Sequence, residues 1–182
     1  MIPVYGERLV LREFALPDVG SAWHVVGDDR VTRWLSFDSR DKIATESMVR
    51  AAIERANSNP RTEYYLAVAR QEDNELIGFV RLGLGGVKAA KLGYALRADV
   101  WRKGYGLEAT RLMLQLGFDA LGLHRITAAI GPDNVGSIAL IKHVGFIYEG
   151  RLRDHVYTNG AWRDSLLYSL LKDEWESKRD PA

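Results

Sequence analysis

The apolar positions along this chain follow two spacings, and the spacing switches repeatedly between them. In RLVLREF (8–14), Leu9, Leu11 and Phe14 mark a first strand. Pro17 and Asp18 then open a helix, with the proline in its first turn. VTRWLSF (31–37) is a short apolar piece of helical or irregular structure. In RDKIATESMVRAAIERANSNP (40–60), Ile43, Met48, Val49, Ala52, Ile53 and Ala56 lie close to one face of a helix, which Asn57-Ser58-Asn59-Pro60 stops. Strand signals follow: YYLAVAR (64–70), a turn at QEDNE, LIGFVRLGLG (76–85) as its antiparallel partner, and AAKLGYALR (89–97).

The second half alternates. Ala109, Leu112, Met113, Leu116 and Ala120 recur at steps of three and four, predicting a helix with one buried face that Gly122 ends. RITAAI (125–130) is a short strand. Ser137, Leu140, Ile141 and Val144 return to helical spacing, closed by Gly145. FIYEGRLRDHVY and AWRDSLLYSLL flank Thr158-Asn159-Gly160, and Asn-Gly between alternating runs is a strong hairpin signal. The pattern is α/β (α+β), antiparallel in its first half. No linker, repeat or low-complexity segment interrupts it, so 1–182 is expected to be one domain.

Composition narrows the classes. The 182 residues carry 25 basic and 24 acidic side chains, a net +1 that favours neither a nucleic acid nor a membrane surface as partner. With no cysteine, disulfides, thiolate nucleophiles and cysteine-bound zinc are excluded. His24, His124 and His143 have no metal-ligand spacing, so no metal is expected. The opening residues lack a basic stretch followed by an apolar one, and no apolar run approaches a membrane span, which makes the cytoplasm the expected location.

The candidate chemistry centres on Trp101-Arg102-Lys103-Gly104-Tyr105-Gly106-Leu107, a basic, glycine-rich loop opening directly into a helix. A helix N-terminus presents unpaired N–H groups and partial positive charge, glycine lets backbone approach an anion, and Arg102 and Lys103 add full charges. A pyrophosphate cradle is one reading and a plain turn is another. Gly104-Tyr105-Gly106-Leu107-Glu108-Ala109 also fits the dinucleotide pattern G-x-G-x-x-A, but the long charged exit RADVWRK and the lack of a suitably placed acidic residue count against it.

Three further stretches bear on the choice. The loop resembles motif A of the GNAT acyltransferases, Q/R-x-x-G-x-G/A, with Trp101 at the first position. W-x-K-G-Y-G-x-E-A is similar to the RimJ/RimL-type branch, the protein N-terminal acetyltransferases and their relatives. GPDNVGSIALIKHVGFIYEG (131–150), ERLVLREFALPD (7–18) and NGAWRDSLLYSLLKDEW (159–175) match the same branch. The resemblance implies a mixed, mostly antiparallel sheet flanked by helices, with strands 89–97 and 125–130 splayed to admit acetyl-coenzyme A. It implies that the pantetheine arm meets backbone near Leu96 and Ala98, that pyrophosphate sits on N–H groups from Arg102 to Leu107, and that Asn134 touches the coenzyme arm. The acceptor would be a primary amine: a protein N-terminus, a small metabolite or an amine antibiotic. Relatives of this kind often dimerise.

The implied reaction is direct attack of a neutral amine on the thioester, with an oxyanion held by backbone N–H and a proton delivered to the leaving thiolate. Many members of the superfamily use a tyrosine four residues before Gly-Phe as that acid. Ile141 stands there and has no proton to give. The branch places serine at Ser137, the candidate acid; its ordinary alternative is a helix-start residue bonded to local backbone. Glu63, Glu75, Asp99, Glu149, Asp154, His155 and Tyr157 are candidate bases, each also readable as a solvated or turn residue, and His155 has the intrinsic pKa best matched to the task. Trp34, Trp101 and Trp162 read as packing residues. A non-catalytic acyl-coenzyme A-binding or regulatory module with the same fold is the alternative.

Overall fold

A computed structural model describes residues 2–179. Its strands are β1 (Val4–Tyr5), β2 (Leu9–Arg12), β3 (Glu63–Arg70), β4 (Leu76–Leu84), β5 (Ala89–Leu96), β6 (Arg125–Ile130), β7 (Ile147–Thr158) and β8 (Ala161–Leu171). Among the described residues these form one sheet in the order β1-β2-β3-β4-β5-β6-β8-β7. Every neighbouring pair is antiparallel except β5–β6, which is parallel. A parallel pair needs a crossover, and α4 (Tyr105–Gln115) supplies it.

Two layers of helix bury the two faces. α1 (Val19–Val26) and α3 (Lys42–Ala56) cover one, where Phe14, Val25, Val49, Tyr65, Ala67, Phe79 and Ala95 pack together. α4, α5 (Val135–Val144) and the start of α6 (Lys172–Arg179) cover the other, against Leu66, Val80, Leu82, Leu92 and Ile126. β3 therefore contributes alternate residues to both cores, which is why YYLAVAR reads as a continuous apolar run. The short helix α2 (Asp29–Thr32) begins the segment expected to be helical or irregular.

The hairpin expectation holds in detail. Asn159 and Gly160 have φ of 51° and 71°, the paired positive values of the tight turn that suits strand twist. Two helical assignments need correction. Ile43 is 79% exposed; Thr45 takes the buried place beside Met48 and Val49, because helical spacing puts Ile43 on the opposite side from Met48, Val49 and Ala52. Ala120 is exposed too. After Gln115 the helix winds wider, Leu121 N–H reaching back five residues to Leu116 C=O at 3.0 Å. The extra residue per turn brings Phe118 inward instead, where its ring stacks on Trp175 at 5.9 Å.

Candidate active site

The β5–β6 ladder is short. Ala89–Leu92 pair with Arg125–Ala128, and there the pairing stops. Gly93–Leu96 keep their partners on β4, and Ala129 and Ile130 keep theirs on β8. The two strands have parted, leaving the β6-facing edge of Gly93–Leu96 without a strand. Trp101 closes one point of that edge: its indole N–H donates to Leu96 C=O at 2.8 Å while the ring stays 40% exposed. Trp101 is thus a hydrogen-bonding residue rather than simple packing. Trp162, 60% exposed, meets Tyr157 at the surface, and Trp34 lies under the Arg33 guanidinium.

The loop from Trp101 follows a one-turn helix at Ala98–Val100 and leads straight into α4. Arg102 and Gly104 both adopt positive φ, 62° and 83°, so the chain turns twice in left-handed conformation before Tyr105 starts the helix. Only glycine does this without cost, which accounts for Gly104. Gly106 has a different reason. A Cβ there would lie 3.0 Å from Leu140 of α5 and 3.7 Å from Leu96 of β5, so this glycine lets helix, helix and strand converge. The loop is pinned from behind by Glu108, whose carboxylate accepts from Arg8 N–H (2.7 Å), Leu9 N–H (3.0 Å) and Arg8 Nε (2.9 Å). Arg8 in turn donates to Lys103 C=O at 2.9 Å and lies over the Tyr105 ring. Arg102 and Lys103 are exposed and take no part in these ion pairs, so their charges face solvent beside the first-turn N–H groups of α4.

α5 begins at the same end. The Asn134 side chain accepts Ser137 N–H at 3.2 Å and caps the helix. The cap role is therefore real, and it consumes one lone pair of the Asn134 oxygen. Ser137 is half-buried on the first turn. From β5 the Tyr94 phenol comes to rest beside the Ser137 side chain, buried and without a hydrogen bond of normal geometry. Ile141 is wholly buried in the core.

Register sorts the candidate bases. Glu63 lies level with Gly83 and Lys91, and Glu149 bonds Arg125 and Ser169, so both sit at the closed end of the β5–β6 ladder. Glu75, Asp99, Asp154, His155 and Tyr157 lie toward the open end. Glu75 is held by Arg97 at 2.7 Å and Arg70 at 2.5 Å. Asp99 is held by Arg97 at 2.6 Å, which depresses its pKa and weakens it as a base. Asp154 is an exposed bulge residue with φ 46°, its N–H bound to Asp164. Tyr157 is exposed. The His155 ring meets Ser165 Oγ at 3.0 Å on β8, one residue past the partner of Ile130. No group of three or more metal-ligating side chains occurs among the described residues. No helix among them is long and apolar enough to cross a membrane.

Parted parallel strands, a left-handed loop and a helix start crowned by exposed cations are the geometry on which comparison with known proteins bears. A family model described as an acetyltransferase (GNAT) domain matches residues 8–147. The chain belongs to the GNAT acetyltransferases. It is 32% identical over 178 residues to the uncharacterized N-acetyltransferase YoaA of Bacillus subtilis, spanning 94% of this chain and 98% of that one. It is 29% identical over 119 residues to the [ribosomal protein uS5]-alanine N-acetyltransferase of Escherichia coli, spanning 64% of this chain and 61% of that one. The solved structure of Mycobacterium smegmatis RimJ in complex with CoA-disulfide superposes with a TM-score of 0.80 at 26% identity, covering 91% of this chain and 83% of that one. This GNAT protein is an acetyltransferase of RimJ/RimL-like kinship, with the mixed, mostly antiparallel sheet expected of it.

Proposed function

We propose that this GNAT enzyme transfers an acetyl group from acetyl-coenzyme A to a primary amine by direct attack in a ternary complex, the whole chain acting as one catalytic domain. The observation that carries the reading is the parting of β5 and β6 after Leu92, with the α4 loop at its mouth. The strand edge from Gly93 to Leu96 offers backbone groups to an amide-bearing arm, near Leu96 and Ala98. The N–H groups from Arg102 to Leu107 and the cations of Arg102 and Lys103 suit a pyrophosphate. Gly104 and Gly106 shape that cradle, Tyr105 braces it on Arg8, and Asn134 sits where the arm passes α5. The acyl donor supplies the activated thioester. The protein holds it against the amine, which provides much of the acceleration, and a hydroxyl at the parting, that of Ser137, takes part in protonating the departing sulfur. His155 is the candidate base at the acceptor side.

A peptide that begins with alanine is the first acceptor to test, since a relative is named as an alanine N-acetyltransferase of ribosomal protein uS5. The test is thermal unfolding with acetyl-coenzyme A, coenzyme A and NAD in parallel, then release of free coenzyme A with an alanine-first peptide, a polyamine and an aminoglycoside. A ligand at a hundred times its Kd stabilises by about 2.7 kcal/mol, or roughly 5–10 °C here. Stabilisation by acetyl-coenzyme A but not NAD, lost in Gly104→Asp, is the expected result. No stabilisation by either form of coenzyme A would refute the reading.

A further inference from the structure

β5 turns Ala90, Leu92, Tyr94 and Leu96 toward the face covered by α4 and α5. Its pairing with β6 ends at Leu92. Tyr94 is therefore the first side chain on that face beyond the point where the strands part. Its ring packs against the core, yet its oxygen is buried and makes no hydrogen bond of normal geometry among the described residues. Burying a hydroxyl without a well-formed hydrogen bond is costly, and folded proteins keep few such groups, a catalytic role being one of the reasons they are kept. The Ser137 side chain lies close enough to stabilise the ionised phenol; burial outweighs it and the pKa is pushed up to about 12. Ser137 is itself oriented by Asn134, through its N–H. Two hydroxyls, one from each side of the parting, thus converge, while the α5 position that carries a phenol in many GNAT enzymes holds the buried, protonless Ile141.

We propose that Tyr94 is a catalytic residue: its hydroxyl protonates the departing thiolate, and Ser137 donates a hydrogen bond to the phenol oxygen as the proton leaves. This rests on the reading that the thioester of acetyl-coenzyme A lies at the parting. The amine nitrogen forms its bond to the carbonyl carbon, the carbon–sulfur bond breaks, and sulfur departs with the electron pair and takes the Tyr94 proton. The phenolate, held by Ser137, recovers a proton from the newly acylated nitrogen through water. One proton passes from nitrogen to sulfur and the protein ends unchanged. The phenol missing at position 141 is thereby supplied from the neighbouring strand.

The test is Tyr94→Phe alongside Ser137→Ala and the double variant, using the amine with the highest turnover in the screen above. General acid catalysis is typically worth about 10²–10⁴-fold, so kcat of Tyr94→Phe should fall at least about 100-fold. Its Kd for acetyl-coenzyme A, by calorimetry, should stay unchanged, and its Tm should stay equal or rise, since the lost hydroxyl makes no hydrogen bond of normal geometry among the described residues. Ser137→Ala should cost less, and the double variant should be no slower than Tyr94→Phe. Placing 2,3,5-trifluorotyrosine at position 94 makes the phenol more acidic and should move the alkaline limb of the pH–rate profile down, which a purely structural ring would not do. Full turnover by Tyr94→Phe, or a loss explained by weaker coenzyme binding or a lower Tm, would overturn the proposal alone. Failure of the unmodified protein to bind acetyl-coenzyme A would overturn the functional reading beneath it.

Discussion

Glu108 is the residue whose removal tests how the cradle is held. Its carboxylate accepts three hydrogen bonds and is only 14% exposed, whereas its ion partner Arg8 is 45% exposed. In Glu108→Ala, Leu9 N–H is the largest loss: Leu9 is fully buried, and a buried donor left unpaired costs about 1–3 kcal/mol. Arg8 N–H lies at the surface and recovers water. The ion pair, half in solvent, contributes no more than about 1 kcal/mol. The carboxylate also faces the start of α4, worth roughly 0.3–1 kcal/mol against the helix dipole. The sum is about 3 kcal/mol, or near 10 °C in Tm for a chain of this length. Urea unfolding at unchanged m-value, with thermal melts alongside, measures it. Glu108→Gln keeps one oxygen for the two backbone donors and should lose about half as much. Coenzyme affinity adds a second readout with opposing expectations. Removing a negative charge beside a phosphate site should by itself strengthen binding. Freeing Arg8, and with it the Lys103 carbonyl, should weaken it. The structure favours weakening, because the loop's two left-handed residues rely on that tie. A stability loss below about 1 kcal/mol, or tighter coenzyme binding, would refute the account.

Two further outcomes follow from contacts described above. Asn134→Ala removes the α5 cap and should cost about 1 kcal/mol in chemical unfolding, with Asn134→Asp retaining most of it. Arg125 first, then Ser169, lower the Glu149 pKa from its usual 4.5, so this pair contributes stability above that pH and loses it as pH falls through the depressed folded value. Glu149→Gln should therefore be less stable than the parent at pH 7, with the difference vanishing in acid titrations followed by tryptophan fluorescence; an equal deficit at all pH values would contradict the linkage.

Much of the frame was legible because burial leaves a periodic trace. β3, β4 and β5 read as strands since their apolar residues serve two cores, and Asn159-Gly160 states its turn in its own chemistry. The loop at 101–107 was legible from its glycines and cations, although the reason for Gly106 was not: its missing Cβ answers to Leu140 and Leu96, which are remote in sequence. Periodicity failed where the helix changed pitch, at Ala120; Ile43 is no such failure, since a regular helical repeat already puts it opposite Met48, Val49 and Ala52. Periodicity was silent on partnership. Glu108 looked like one letter of a motif, and its ties to Arg8 and Leu9 span a hundred residues. Tyr94 looked like another apolar position on a strand; only the structure places its buried oxygen beside the Ser137 side chain, short of a well-formed hydrogen bond.

The short β5–β6 ladder also has a mechanical meaning. Five strands lie on one side of it and three on the other, and four residue pairs join them. Such a joint is a narrow seam of the sheet: each half has its own ladders and would keep them if the two halves tilted. A second fastening limits the tilt. Asp38 accepts from Thr158 Oγ1 at 2.6 Å and Asn159 N–H at 2.8 Å, and Arg163 donates to Leu35 C=O at 2.8 Å, so the segment after α2 grips the tip of the β7–β8 hairpin. The clasp thus ties the two halves of the sheet together at a point outside the cradle, on the side where the β5–β6 ladder has already ended.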